Sequence, residues 1–387
     1  MASMNPTRLI TPLRLCALAS LLLGAGTARA CTTFVLQSAN HLYFGRSLDW
    51  VSEEALVIVN PRHAQKSSLV APGTTPAKWV SKYGSLTFNS GGWEMPTGGM
   101  NEAGLVVENM WLIETRPPEP DARPVLNSLQ WIQYQLDSCR TVDEVIATDS
   151  KIRLDTADPR IPLHYLVCDA SGDCAVIEFL DGKMVCHRGG HLPCRALAND
   201  SYDEAVAAAK PLPATGDSEA KPAVSPRFRR FAVAAQRAAA FHSGTARENL
   251  DYAFATLDMV SKDDTVWRMV YDIKERQIYY RTRSHPAERA LDLNGMDFAC
   301  HGQVRFFDLS SSSRPEPPVF EELTEAKHRQ YLERYLAQDR VKRIFGDVQP
   351  FMEGLLLNLR AYHCAEPPAP AGTPRATEQA GRVQSPL

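Results

Sequence analysis

The residue with the most chemistry to offer is Cys31, because of what precedes it. Arg8 and Arg14 flank an apolar run from Leu15 to Leu23, no acidic residue occurs before Cys31, and the stretch ends in the small-residue site Ala28-Arg29-Ala30. Basic flank, short apolar core and A-x-A site together read as a secretory signal peptide over residues 1–30. The run is shorter than the roughly 20 residues a membrane span needs. Removing the leader makes Cys31 the first residue, with a thiol and a free α-amine side by side. An ordinary thiol titrates near about 8.5 and an α-amine near about 7.7–8.0. The amine can therefore take the thiol proton and later hand it to a departing amine. Attack on a carbonyl gives a thioester that water hydrolyses. The competing reading of the same site is a bacterial lipoprotein, also cut before a cysteine that is then acylated. Arg29 speaks against it, since such sites carry small residues there.

Two charged residues stand where they can serve this cysteine. Thr33–Gln37 and Leu42–Trp50 are short apolar-rich runs separated by Ser38-Ala39-Asn40-His41, the pattern of a β-hairpin. That hairpin puts Cys31 at the start of one strand and Arg46 and Asp49 on the returning one. A cation beside a thiol favours the thiolate, which is the task for Arg46, and Asp49 can orient the α-amine. The bland alternative for the pair is an ion pair on a hairpin surface.

The elements beyond follow from periodicity and punctuation. Leu56–Asn60, Leu86–Phe88 and Leu105–Trp111 read as strands, with Gly98–Gly104 a turn-rich joint. Leu126–Cys139 carries apolar residues at a helical period, and Thr141-Val142-Asp143-Glu144 fits a capping box opening the next helix. Leu163–Cys168, Ala175–Phe179 and Lys183–His187 read as antiparallel strands, with Asp181-Gly182 as a hairpin turn. Lys210–Ser225 is a Pro/Ala-rich loop. Phe228–Phe241 and Arg247–Val260 are helical, Trp267–Tyr271, Gln277–Arg283 and Val304–Phe307 are strands, and Glu321–Ile344 and Phe351–Leu359 are helical. From Glu366 the tail is Pro/Ala-rich, the composition of a disordered end. Strands, helices, strands and helices in that order suggest packed sheets with helices outside and no boundary dividing them.

The 387 residues include 42 basic and 45 acidic ones, and the leader takes three arginines with it. This is no electrostatic footprint for nucleic acid, and no basic patch or helix marks a membrane surface. Nine cysteines are present, and an exported chain can form disulfides. Cys168 with Cys174, and Cys186 with Cys194, each flank a short turn, and either pair is a possible local bridge. Cys186, His187, His191 and Cys194 offer four metal-ligand types within nine residues, but too compressed for an ordinary two-plus-two zinc site. No metal and no cofactor is expected. A papain-like nucleophile would be followed by an aromatic residue, whereas Thr32 follows Cys31.

Cys31-Thr32-Thr33-Phe34, Tyr43-Phe44-Gly45-Arg46-Ser47-Leu48-Asp49-Trp50, Gly99-Met100-Asn101-Glu102-Ala103-Gly104-Leu105 and Leu197-Ala198-Asn199-Asp200 together resemble the choloylglycine hydrolase and penicillin V acylase family. These are linear amide C–N hydrolases of the N-terminal nucleophile superfamily. The resemblance implies an α+β fold, an αββα sandwich of two antiparallel sheets flanked by helices. It implies a domain over residues 31–364, with 291–364 a divergent end and 365–387 a tail. It implies Cys31 as nucleophile and base, with Arg46 and Asp49 beside it. Asn199 becomes the oxyanion donor, and an arginine on a later helix falls on Arg230, with Arg227 in a competing register. Trp50 and Trp111 become substrate-binding residues. Trp111 lines the acyl pocket, its backbone helping to hold the oxyanion, where the bile-salt branch has an Asn. The implied substrates are small N-acyl amides: acylated β-lactams such as penicillin V, N-acyl homoserine lactones and conjugated bile acids. Trp111 favours aromatic or fatty acyl groups over a steroid. The implied setting is periplasmic or secreted, without stable membrane insertion, and homotetramers are common in the family. An acylated lipoprotein using this fold for binding or assembly is the alternative.

Overall fold

The computed structural model describes residues 31–155, 161–209, 225–310, 318–346 and 348–365. The expected leader at 1–30, the loop expected at 210–225 (save Ser225) and the tail from Glu366 lie outside the described residues. Among those described, no helix is long and apolar enough to cross a membrane.

Two antiparallel sheets form the centre. The first runs Ala196–Leu197, Thr32–Gln37, Leu42–Asp49, Thr265–Asp272, Gln277–Thr282, Arg289–Asp292. The second runs Lys183–Arg188, Cys174–Leu180, Leu163–Cys168, Val106–Trp111, Gly98–Asn101, Ser85–Asn89, Leu56–Asn60, Arg305–Asp308, Glu321–Glu322. Side chains from both sheets share one core: Val35 and Phe44 from the first, Val57, Phe88, Met100, Met110 and Leu166 from the second. Alternation along each strand sends the other set of apolar residues outward, and these need cover. Helices Arg229–Ala239 and Ala246–Val260 cover the first sheet through Phe231, Leu250 and Phe254. Helices Ser128–Ser138 and Val142–Ala147 cover the second, where Trp131 stacks on Tyr165 at 4.2 Å. Three C-terminal helices, Glu325–Leu336, Asp339–Phe345 and Gln349–Arg360, close over its Leu56, Ile58 and Phe306 side. The result is an αββα sandwich.

Leu42–Asp49 is the strand on which the first sheet is built. Every one of its residues is buried, and it lies between Thr32–Gln37 and Thr265–Asp272. Gly45 faces Phe34 across the hairpin, and a Cβ there would lie 2.3 Å from the end of the Phe34 ring. Only a glycine lets that ring rest on the strand.

Four expectations are corrected. Gly98–Asn101 is a central strand of the second sheet, not part of a turn, because its glycines make room for neighbouring strands rather than for a bend. Thr141 does cap its helix by accepting from the Glu144 N–H, but Glu144 reaches back to the Arg140 N–H instead of closing the reciprocal box. The helix expected over Glu321–Ile344 starts at Glu325 under the Thr324 cap and breaks at extended Gln338. Neither expected local disulfide forms: Cys168 and Cys174 face each other in register as free buried thiols, and Cys186 and Cys194 are also free. The disulfide joins Cys300 to Cys364, because the strand His363–Cys364 returns to pair with Ala64–Ser67.

That bond closes a loop of 64 residues around the C-terminal helices. A closed loop of this size restricts the unfolded chain by about 4 kcal/mol in the chain-entropy account. Replacing both cysteines by serine is expected to lower unfolding stability by about that amount. Denaturation of the native protein with reductant present should reproduce the loss, and no difference from the oxidised protein would contradict it.

Candidate active site

Cys31 is 5% exposed, at the head of the first strand, with its Sγ 3.9 Å from the backbone oxygen of Asp49. Thr33 and Phe34 also pair with Leu197 and Ala196. This carries the chain two residues past that short strand to Asn199, beside Cys31. Hairpin and short strand thus deliver a thiol, a guanidinium, a carboxylate and an amide to one end of the first sheet.

Arg46 is fully buried. Its Nε donates to Glu108 Oε2 at 2.9 Å and its Nη1 to the Ser47 carbonyl at 2.6 Å. Burial alone would lower its pKa, but the neighbouring Cys31 and Glu108 raise it, so the cation is held firmly beside the thiol. Asp49 is equally buried, and burial pushes its carboxyl above the usual range against the opposing effects of Thr265 and Arg230. Its Oδ1 accepts from the Thr265 hydroxyl, and its Oδ2 has no hydrogen-bond partner in the described chain.

Arg230 lies in the first turn of its helix and reaches across to the start of the hairpin. Its Nη1 donates to the Cys31 carbonyl at 2.8 Å and to the Thr32 hydroxyl at 3.1 Å, and Nη2 lies 3.3 Å from Asn199 Oδ1. Arg227 points elsewhere, pairing with Asp200 and Glu204. Of the two registers, Arg230 is therefore the arginine at the cysteine. Asn199 is fixed from both ends, since its Nδ2 donates to the Trp111 carbonyl at 2.9 Å. The Trp111 carbonyl thus aims the Asn199 amide. Trp50 and Trp111 line an apolar pocket that opens at Cys31, with Leu48, Leu129, Ile161 and Leu163. On the other side of Asn199 and Arg230 is an open cleft of about 690 Å³ that includes Arg229, Lys262 and Glu114.

Sequence reasoning missed the partners behind these residues. Glu108 stands inside the apolar run Val106–Trp111, and a charge at a core position was the available signal. It takes Arg46 on one oxygen and the Tyr271 hydroxyl on the other. Burial raises its pKa to about 7 although both partners pull downward. Gly98 faces it in register, and a Cβ there would lie 2.1 Å from the carboxyl carbon. The glycine is what lets the carboxylate fit. A second line supports Asn199. His164 bonds the Ala198 carbonyl through Nε2 at 2.8 Å and Glu178 through Nδ1 at 3.0 Å. Glu178 also accepts from the Tyr202 N–H and bonds His187. Burial would raise the Glu178 pKa, but the bonds from His164 and His187 hold it down at about 2.

Removing one partner of a buried ion pair leaves the other uncompensated and costs about 3–5 kcal/mol. Glu108→Ala should therefore lower unfolding stability by about that much, whereas Arg227→Ala, at an exposed pair, should cost no more than about 1 kcal/mol. Equal effects would contradict the placement of the pair. For Glu178 the folded pKa lies below the ordinary 4.5, so its stabilisation is complete above that value and is lost as pH falls toward about 2. A Glu178→Gln variant should show a flatter decline of stability with acidification over that window, read by denaturation at a series of pH values.

Comparison with known proteins follows the same geometry. Residues 31–207 match the family described as linear amide C–N hydrolases, choloylglycine hydrolase family. The chain is 27% identical over 328 residues to a penicillin V acylase of Pectobacterium atrosepticum, covering 74% of this chain and 86% of the relative. The structure of penicillin V acylase from Agrobacterium tumefaciens superposes with a TM-score of 0.63 at 30% identity, covering 73% of this chain and 92% of that one. The conjugated bile acid hydrolase of Clostridium perfringens shares the fold, with a TM-score of 0.56 at 16% identity over 72% of this chain and 96% of that one.

Proposed function

This chain belongs to the choloylglycine hydrolase family of linear amide C–N hydrolases, a hydrolase of the penicillin V acylase type acting on non-peptide C–N bonds, and from that premise we propose an exported enzyme that uses Cys31 as its N-terminal nucleophile on small N-acyl amides. In the intact chain the nitrogen of Cys31 is an amide. Hydrolysis of the Ala30–Cys31 bond frees it as an amine, which takes the thiol proton. The thiolate attacks the carbonyl carbon of the scissile amide, helped by the Arg46 cation. The oxyanion accepts from the Asn199 side-chain amide. The tetrahedral intermediate collapses as the C–N bond breaks, and the α-ammonium protonates the departing amine. Water, deprotonated by the same α-amine, then attacks the acyl thioester, releases a carboxylic acid and restores the thiol.

One observation carries this reading: Asn199 is pinned between the Trp111 carbonyl and Arg230, which also holds the Cys31 carbonyl. Nucleophile and oxyanion donor are thus fixed to a single guanidinium, so their separation does not wait on substrate. Support for the α-amine as base comes from Asp49 Oδ2, a buried carboxylate oxygen without a partner among the described residues and a suitable acceptor for the ammonium. Support for the substrate class comes from the two cavities. The apolar pocket suits an aromatic or fatty acyl half, and the polar cleft beside Arg230 suits the amine half. The Cys300–Cys364 disulfide supports a periplasmic or extracellular setting, since such bonds persist where the compartment is oxidising.

The test begins with the intact mass of protein recovered from the periplasm or medium. A chain starting at unmodified Cys31 is expected, and a lipid-modified Cys31 or a retained leader overturns the proposal. On penicillin V or another N-acyl amide, Cys31→Ala should abolish turnover. Asn199→Ala should lower kcat by about 10²–10³-fold, the usual loss for one oxyanion donor. Full activity in the Cys31→Ala variant overturns the mechanism.

A further inference from the structure

Glu108 has no part in the reaction outlined above, yet it is fully buried and bonds the guanidinium that stands beside Cys31. A purely structural ion pair would engage every donor of its arginine. Arg46 does not: Nε donates to Glu108 Oε2 and Nη1 to the Ser47 carbonyl, while the buried Nη2 has no hydrogen-bond partner among the described residues. Burial opposes the cation, and the charges of Cys31 and Glu108 together outweigh it. One cation is thus shared by two groups, each of which can be neutral or negative, and one buried donor is left for sulfur.

The surroundings of Glu108 leave its own charge to these few contacts. From the first sheet it meets Arg46 and the Tyr271 hydroxyl, which donates to Oε1. On the strands at either side Gly98 and Leu166 stand opposite it. His164 and Cys168 share the Leu166 face of their strand, and His164 is engaged by the Ala198 carbonyl and Glu178. Arg46 has the uncharged Thr33 and Met269 as its own register partners. Around Cys31 the remaining charges are Arg230 and Asp49, which act on one another. Burial places Glu108 at about 7, with Arg46 and Tyr271 pulling downward, so its charge changes near neutrality. A nearby cation favours a thiolate, and a carboxylate on the same cation opposes it. Rising pH therefore takes protons from Glu108 and from the thiol together, and the first loss resists the second.

We propose that Glu108 is a positioning residue that sets, through Arg46, how readily the Cys31 thiolate forms, and that its protonation state makes this setting depend on pH. This rests on the role proposed above for Cys31 as nucleophile. Ionised, Glu108 shares the guanidinium with the sulfur and keeps the thiol able to regain its proton. Protonated, it leaves the whole cationic charge to the sulfur.

The experiment times alkylation by iodoacetamide from about pH 5.5 to about pH 8.5, either side of the Glu108 value, on the native protein, Glu108→Gln and Tyr271→Phe. Product is counted on the peptide that carries Cys31, which separates it from the other free thiols. Glutamine keeps the shape and an acceptor for Arg46 but not the charge. At the acid end native Glu108 is protonated, and the two proteins should react at equal rates. At about pH 8 the native carboxylate is ionised, and Glu108→Gln should react at least about twofold faster. Tyr271→Phe removes a donor that favours the carboxylate, so it should give a smaller gain of the same sign, and it should add nothing in the Glu108→Gln background. If Glu108→Gln does not fold, Tyr271→Phe decides alone. Alkylation needs no substrate, so failure of the amidohydrolase reading shows separately, as native protein that turns over no N-acyl amide. A variant-to-native ratio that stays constant across the pH range, or a Cys31 that is alkylated at no pH, overturns the proposal.

Discussion

A buried ion pair spans the interior of the sandwich. Arg46 belongs to the first sheet and Glu108 to the second, and they meet in a core otherwise built of phenylalanine, methionine and leucine. Taking two charges out of water costs several kcal/mol per ion, recovered only when geometry and further hydrogen bonds are good. Here Ser47 and Tyr271 supply those bonds and Gly98 supplies the space. A one-residue slip of either strand would turn one charge into the opposite face and leave both stranded. The pair therefore fixes the register of the sheets on one another. It also fixes the guanidinium beside Cys31.

The same logic explains the density of polar contacts around Cys31. Cys31 is held through its carbonyl by Arg230, Asn199 through both ends of its amide, and Asp49 through Thr265. Each group is oriented by a second one on a different element, so no distance between them rests on a single rotamer. Preorganised donors in a site shielded from water act more strongly than in bulk. Burial of this set is thus part of its chemistry.

Much of this was legible in the sequence where causes are local. The hairpin around Ser38–His41 follows from alternation and turn chemistry, and it alone brings Arg46 and Asp49 to Cys31. The Asp181-Gly182 turn, with both residues at positive φ, and the helices over 229–239 and 246–260 were likewise readable. What escaped depends on partners far along the chain. Thr265 meets Asp49 across 216 positions and Tyr335 meets Trp50 across 285, and no local pattern encodes either. Glu108 stood in plain view as a charge in an apolar strand, but its partner did not. Gly98–Asn101 looked like a bend because glycine serves both bends and close strand approach. The cysteine spacings pointed to nearby pairs, while the bond formed between two that only the folded C-terminal helices bring together.

Covalent continuity has an unexpected place in this arrangement. The centre lies on the sheet formed when the opening hairpin accepts Thr265–Asp272 as its third strand. A peptide break anywhere between Ala209 and Ser225 would part Cys31, Arg46, Asp49, Glu108 and Asn199 from Arg230, Thr265, Tyr271, Tyr335 and Phe345. Neither piece would hold a complete centre, and each would expose half of a core made to face the other.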